Sequence, residues 1–282
     1  MKKWGLFLFL MVFASVNIEQ FFQNKIHILD NIPNKIEDEE TVERKMTKEE
    51  IYLGNLLLVN GDYPAKHESI KKDIIHLTRN EPMLEGIGLL SSGIYLSKEV
   101  ALAFSELVAA AKEEGVNHFM INSGFRDVQE QNELYEEMGP EYALPAGYSE
   151  HNLGISLDVG STLMRMNKAP EGKWIKKNAW KYGFILRYPE DKTEVTKIQY
   201  EPWHIRYVGL PHSAIMKQNN LALEEYIAYI KKEKTLSVMV NKERYTVSYY
   251  PISDSKSIKV PEDKQYDISG NNIDGVIITV HE

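Results

Sequence analysis

The sequence predicts a domain that mixes helices with short strands and is followed by a small β-rich region. Two observations carry that expectation. From Thr47 to Lys234, apolar residues recur at helical spacing in some stretches and form short runs bounded by turn residues in others. After Lys234 the text changes to alternating Val- and Tyr-rich runs, LSVMVN, RYTVSYYPI and DGVIITV, separated by polar turns. The length of 282 residues gives room for one domain of good size plus a smaller one.

The elements follow in order. Lys2 and Lys3 precede an uncharged apolar run from Trp4 to Val16, a basic region followed by a hydrophobic one. The run is shorter than the ~20 residues of a comfortable membrane helix. Residues 1–18 are therefore expected to be a cleaved signal or a short uncleaved anchor, with the rest of the chain secreted or on the extracytoplasmic face of the cell membrane. Residues 19–46 are rich in Asn, Glu, Asp and Lys and read as a polar stalk. Thr47 and Glu50 make a capping box at a helix start. Residues 51–60 are apolar and run into the turn Gly61-Asp62-Tyr63-Pro64.

Val100, Ala101, Phe104, Leu107, Val108 and Ala111 place a helix over 97–114, with Ser97 as its cap and Gly115 ending it. His118–Asn122 reads as a strand delivering Ser123-Gly124-Phe125-Arg126, and Asp127 opens a second helix through Met138. Leu157-Asp158-Val159 is a strand. Trp174–Tyr182 is a helix stopped by Gly183. Phe184–Tyr188 and Ile205–Val208 are strands, and Leu221–Lys232 is a helix. The expected division is 47–234 as the catalytic domain and 235–282 as a β-rich C-terminal region.

The composition excludes several functions. There is no cysteine, which removes thiol catalysis, disulfides and Cys-bearing metal sites. A net charge of −8 does not suit nucleic acid. Two segments, Ser149–Asp158 and Glu201-Pro202-Trp203-His204, hold two imidazoles and a carboxylate able to bind one zinc ion: His151, Asp158 and His204. Glu201 adds a base for the attacking water. That is the inventory of a catalytic zinc site. Gly154 supplies an unusual backbone angle between His151 and Asp158. Pro202 keeps Glu201 out of the α region, so the second segment is not a helical zinc motif.

SGFRDVQEQNELY, YSEHNLGISLDVG and EPWHIRYVG resemble the zinc D-Ala-D-Ala carboxypeptidases of the VanY type, and the resemblance covers about Thr47 to Lys232. It implies an α+β fold in which a small antiparallel sheet with flanking helices carries the zinc site. It implies His151, Asp158 and His204 as ligands, Glu201 as base, and Arg126 facing the substrate carboxylate or a developing oxyanion. Gln131 and Ser149 match positions that contact substrate or position ligands, and Trp203 joins them as a substrate contact. The implied reaction removes the C-terminal D-Ala from peptidoglycan stem pentapeptides and so contributes to glycopeptide resistance. Two alternatives remain at this point: a D,D-dipeptidase on free D-Ala-D-Ala, and a non-catalytic wall-binding module with a structural zinc. No obligate protein partner is implied.

Overall fold

The computed structural model describes residues 27–28, 41–80, 84–139, 143–253 and 256–282. The expected leader, residues 1–18, lies outside them, and no helix among the described residues is long and apolar enough to cross a membrane. The strands are β1 (His27–Ile28), β2 (Thr41–Met46), β3 (Ile74–His76), β4 (Gly88–Leu89), β5 (Tyr95–Ser97), β6 (Phe119–Ser123), β7 (Ser156–Ser161), β8 (Phe184–Leu186) and β9 (His204–Tyr207). The C-terminal strands are β10 (Thr235–Val240), β11 (Glu243–Pro251), β12 (Lys256–Pro261), β13 (Tyr266–Gly270) and β14 (Gly275–His281). The helices are α1 (Lys98–Glu113), α2 (Val128–Met138), α3 (Pro170–Asn178), α4 (Thr193–Thr196), α5 (His212–Asn219) and α6 (Leu223–Glu233).

One five-stranded sheet runs β4-β6-β7-β9-β8. It is antiparallel except at β4, which runs parallel to β6. Helix α1 covers one face. Its apolar stripe puts Phe104 edge-on to Phe119 and Phe184, at centroid distances of 6.3 and 6.2 Å. The sheet's other face is left for chemistry.

Helix α1 is capped differently from the expectation. Ser97 makes no side-chain cap. The carboxylate of Asp73 accepts from the Glu99 amide at 3.0 Å and from Ser97 Oγ at 2.9 Å. An acceptor from β3's neighbourhood thus satisfies the orphan amide, and Ser97 holds the acceptor. Asp127 does cap α2, in a capping box with Glu130 at 2.9 and 3.1 Å. Thr47 and Glu50 also form their box, but it opens a 3₁₀ helix, Lys48–Tyr52.

The polar stalk needs a larger correction. Thr41–Met46, assigned to it by composition, is strand β2, paired antiparallel with β12 along its length. Met46 is fully buried with Ile51, Ile258, Val260 and Ile278. Residues 27–28 pair with β10. A strand whose partner lies more than 200 residues away carries no local signal of its pairing, so its charged, outward-facing residues dominate the reading.

The C-terminal strands form a second five-stranded sheet, β1-β10-β11-β14-β13. It shares a core with the preceding domain. Leu56 and Leu58 of the N-terminal arm, Tyr226, Ile227 and Ile230 of α6, and Val238 and Val247 of the sheet are all buried in one cluster. The arm is pinned to the sheet by the Leu56 amide donating to Ser269 Oγ at 2.8 Å and by Asn272 Nδ2 donating to the Leu58 carbonyl at 2.8 Å.

This packing moves the N-terminal limit of the folded unit. A chain trimmed to start at Thr47 loses the burial of Met46 and the partner of β12. Relative to a chain starting at Thr41, it is expected to lose at least ~1.5–3 kcal/mol, the value of burying one Met side chain. Urea unfolding of the two chains measures the difference, and equal midpoints would contradict the assignment.

Candidate active site

The site begins with strand register. Asp158 of β7 stands opposite His204 of β9, and Ser156 opposite Arg206, with the Leu157–Ile205 pair between them. Side chains alternate across a sheet. Leu157 and Ile205, each fully buried, enter the core beneath α1, and the two polar pairs share the opposite face. Ser123 of β6 lies on the other flank of Asp158, after an irregularity in the β6–β7 register.

His151 arrives on a short 3₁₀ helix, Glu150–Leu153, whose N-cap Ser149 accepts from the His151 amide at 3.4 Å. Gly154 ends the helix at φ +83°, in the left-handed region, and a Cβ there would sit 2.3 Å from Ile74 Cδ1. The expected special glycine is therefore required by its backbone angle, and a side chain there would also have to displace the tip of Ile74. His151 Nδ1 lies 2.6 Å from the Gly124 carbonyl oxygen, to which it donates. That bond fixes the tautomer and leaves Nε2 as the acceptor, 3.3 Å from Asp158 Oδ2. Gly124 has no room for a side chain either, because a Cβ would lie 2.2 Å from the Tyr95 carbonyl oxygen.

His204 Nδ1 is 3.1 Å from Asp158 Oδ1 and 3.9 Å from Glu201 Oε2. Donor atoms of His151, Asp158 and His204 all lie within 4.8 Å of one another. A tetrahedral zinc with bonds of ~2.0–2.1 Å sets its donors roughly 3.3 Å apart. The observed 3.3 and 3.1 Å separations match that requirement. The fit is also chemical: two nitrogens and a carboxylate, with a further carboxylate at one side.

The electrostatics separate the groups. Burial lowers the pKa of His151, assisted by Arg126 and opposed by Asp158, so the imidazole is held neutral. Burial works against ionisation of Asp158, yet His151 and His204 hold its carboxyl well below the usual range. His204 is pushed the other way: burial alone would lower it, but Asp158 and Glu150 raise it to about 9. An imidazole facing carboxylates on both nitrogens calls for a cation, whether proton or metal. Burial raises the Glu201 carboxyl, with His204 opposing and Asp158 adding to the rise.

The remaining sequence-predicted residues separate into two groups. Arg126 Nη1 donates to Ser123 Oγ at 3.3 Å, and Asp158, Glu130 and Glu201 are the carboxylates acting on its charge. Its Nε is buried without a partner. Trp203 is 40% exposed beside the site. Gln131 is fully buried, and its Nε2 donates to the Leu144 carbonyl at 2.6 Å, so it holds the loop leading to His151. Ser149 is likewise placed to position His151.

Sequence reasoning missed the residues behind His204. Glu150, fully buried, lies with Oε2 3.5 Å from His204 Nε2. Its Oε1 meets Arg187 Nε at 2.8 Å and Arg206 Nη1 at 2.7 Å, and Ser156 Oγ donates to Oε2 at 3.1 Å. Burial alone would raise this carboxyl, but Arg206, Arg187 and His204 together hold it far below the usual range. Arg187 also grips Glu224 of α6 bidentately at 2.9 and 2.7 Å. Asn152 donates to the Arg126 carbonyl at 2.8 Å and accepts from the Gly147 amide at 2.9 Å. Tyr188 tilts against the His204 ring at 5.0 Å. The available signal was a lone arginine inside each of two apolar strand runs, FILRY and HIRYV, since a charge there must be paired.

Comparison with known proteins agrees with this geometry. A family model described as VanY, D-alanyl-D-alanine carboxypeptidase, matches residues 93–210, which include His151, Asp158, His204, Glu201 and Arg126. A D-alanyl-D-alanine carboxypeptidase of Enterococcus faecium is 58% identical over 282 residues, covering 98% of this chain and 93% of that protein. The vancomycin resistance D,D-dipeptidase VanXYg, solved with a D-Ala-D-Ala phosphinate analogue, superposes with a TM-score of 0.76 at 31% identity over 86% of this chain and all of that one. A mutant of the D,D-pentapeptidase VanY from a VanB-type resistance cassette, solved with Zn(II), gives 0.51 at 29% identity over 61% of this chain and 98% of that one. The chain belongs to the VanY family of D-alanyl-D-alanine carboxypeptidases.

Proposed function

We propose that this protein is a zinc D,D-carboxypeptidase that removes the terminal D-Ala from peptidoglycan stem pentapeptides ending in D-Ala-D-Ala. The observation that carries the reading is the convergence of His151, Asp158 and His204 at zinc spacing, with Glu201 beside them. Trimming these termini removes the group that glycopeptide antibiotics bind, so the activity contributes to resistance and to wall remodelling. The basic-then-apolar start of the chain supports action outside the cytoplasm, by a tethered or secreted protein.

His151 through Nε2, Asp158 through its carboxylate and His204 through Nδ1 would hold the ion. Zinc supplies a Lewis acid that polarises the scissile carbonyl and acidifies the attacking water. Glu201 takes the proton from that water and returns it to the leaving amine as the C–N bond breaks. Its raised pKa suits the first task, because burial makes the carboxylate a stronger base toward that water. Arg126 either docks the substrate's terminal carboxylate or stabilises the oxyanion.

A D,D-dipeptidase is the second reading, favoured by the likeness to VanXYg. Mass spectrometry of pentapeptide precursor and of free D-Ala-D-Ala after incubation, with and without a chelator, separates the two. Loss of D-Ala from the pentapeptide only in the metal-loaded sample is the expected result. A structural zinc in a binding module has no use for a base with a raised pKa, and catalysis in that assay would exclude it.

Glu201→Gln is expected to keep zinc and lose about 10²–10⁴-fold in kcat, the usual cost of a general base. Elemental analysis beside the kinetics checks this, and loss of zinc would make Glu201 a ligand instead. Arg126→Lys keeps the charge but loses the planar fork. A rise in KM at constant kcat assigns Arg126 to the terminal carboxylate, and a fall in kcat of about 10²–10³-fold assigns it to the oxyanion. Arg126→Ala with both constants intact would rule out either role. Glu150→Gln weakens the support behind His204 Nε2, so zinc affinity is expected to drop about 10–100-fold. Competition with a chelating dye reads that affinity directly, and an unchanged value would reduce Glu150 to a purely structural part.

A further inference from the structure

Beyond the triad, the open face of the sheet continues into a cleft of about 600 Å³. Met120, Asn122, Gly160, Arg165, Tyr200 and Trp203 are among the residues that line it. Gly160 pairs with Met120 and lies two residues beyond Asp158 on β7, so it shares the face of the site. At ~3.4 Å per strand residue, the cleft begins about 7 Å from the Asp158 position.

A carboxypeptidase needs room for only one residue on the leaving side of the scissile bond. For an enzyme releasing D-Ala that residue is small, and a cleft of this size far exceeds it. The cleft therefore suits the peptide upstream of the bond, and two residues of extended chain cover the ~7 Å to its start.

The lining has a one-sided charge. Among the described residues that line it there is no Asp or Glu, and Arg165 is the one Lys or Arg. The Arg165 side chain is exposed and makes no ion pair or hydrogen bond with any described residue. Its backbone is fixed, because its carbonyl accepts from the Lys168 and Ala169 amides at 2.9 and 3.0 Å and the adjoining Met166 is buried in the core. An anchored residue thus presents a planar fork, unpaired among the described residues, to a cleft whose described lining carries no carboxylate and that opens from the reaction centre. Tyr200, Trp203 and the exposed Met164 supply apolar surface around it.

We propose that Arg165 forms a subsite for a carboxylate carried by the stem peptide two or more residues upstream of the scissile bond. It thereby favours extended, anionic peptides over short or amidated ones. The inference rests on the carboxypeptidase reading above. A guanidinium takes a carboxylate through two parallel N–H donors, which a carboxamide cannot match in charge.

Three synthetic substrates ending in D-Ala-D-Ala test it on the zinc-loaded full chain. They are a blocked tripeptide, a pentapeptide with a free carboxylate on its second residue, and the same pentapeptide with that group as a carboxamide. The wild-type chain is expected to show a KM about three- to tenfold lower for the acid than for the amide at similar kcat, the range of a partly exposed charge pair. Arg165→Gln is expected to abolish the difference between acid and amide, and Arg165→Lys to restore part of it. An acid preference that survives in Arg165→Gln, or none in the wild type, overturns the subsite. Cleavage of the blocked tripeptide by the wild type tests the reaction itself. If none of the three peptides is cleaved, the carboxypeptidase reading falls and the subsite with it.

Discussion

The ionised carboxylate of Glu150 is the constraint around which the molecule is arranged. It is fully buried and has two fully buried arginines against it, with Glu224 completing the charge balance through Arg187. Removing such ions from water costs several kcal/mol each, and only close pairing with every remaining donor satisfied recovers the cost. Several of the donors are satisfied by distant parts of the chain. Arg206 Nη2 donates to the Asn55 and Leu57 carbonyls at 3.0 and 2.9 Å, and Arg187 reaches α6. The arm, the metal-site loop, β8, β9 and α6 must therefore be in place together. This explains why the C-terminal sheet, which packs on α6 and the arm, is continuous with the catalytic part and not a loosely attached module.

The same cluster shows how a strand can serve two purposes. β7 and β9 carry apolar residues on the helix-covered face and a run of polar ones on the other: Ser156 and Asp158 against Arg206 and His204. The register that aligns Asp158 with His204 for a metal also aligns Ser156 and Arg206 around Glu150. A one-residue slip in either strand would bury the polar set under α1 and expose Leu157 or Ile205, so the hydrophobic core enforces the register on which the site depends.

The sequence made some of this legible and hid the rest for physical reasons. His151, Asp158, Glu201 and His204 were readable because their chemistry has few other uses in a chain without cysteine. Gly154 was readable because one backbone angle had to differ. The helices over 98–113 and 223–233 were readable from their apolar stripes. The cap of α1 was not, because Asp73 reaches it across 26 residues. Strands β2, β12 and β13 were not, because KSIKVP, TVERKM and YDISG take their burial from partners that no local pattern names. Glu150 reads as an ordinary charge within Ser-Glu-His. Its meaning lies in Arg187 and Arg206, which only the fold brings to it.

His204 stands between two glutamates, and their difference is the strongest physical argument for the division of labour at this site. Glu150 faces Nε2, and Glu201 faces Nδ1. Both are withdrawn from water, which raises a carboxyl in each case, but the neighbours decide the outcome. Two arginines overwhelm burial at Glu150 and keep it charged; at Glu201, burial prevails and Asp158 adds to it. A carboxylate locked in the charged form orients an imidazole but cannot cycle a proton. One whose pKa is raised can accept a proton and release it within a turnover. On the proposed reading the fold gives identical side chains opposite tasks: Glu150, held charged, would set the orientation of His204, and Glu201, with its raised pKa, would serve as the base.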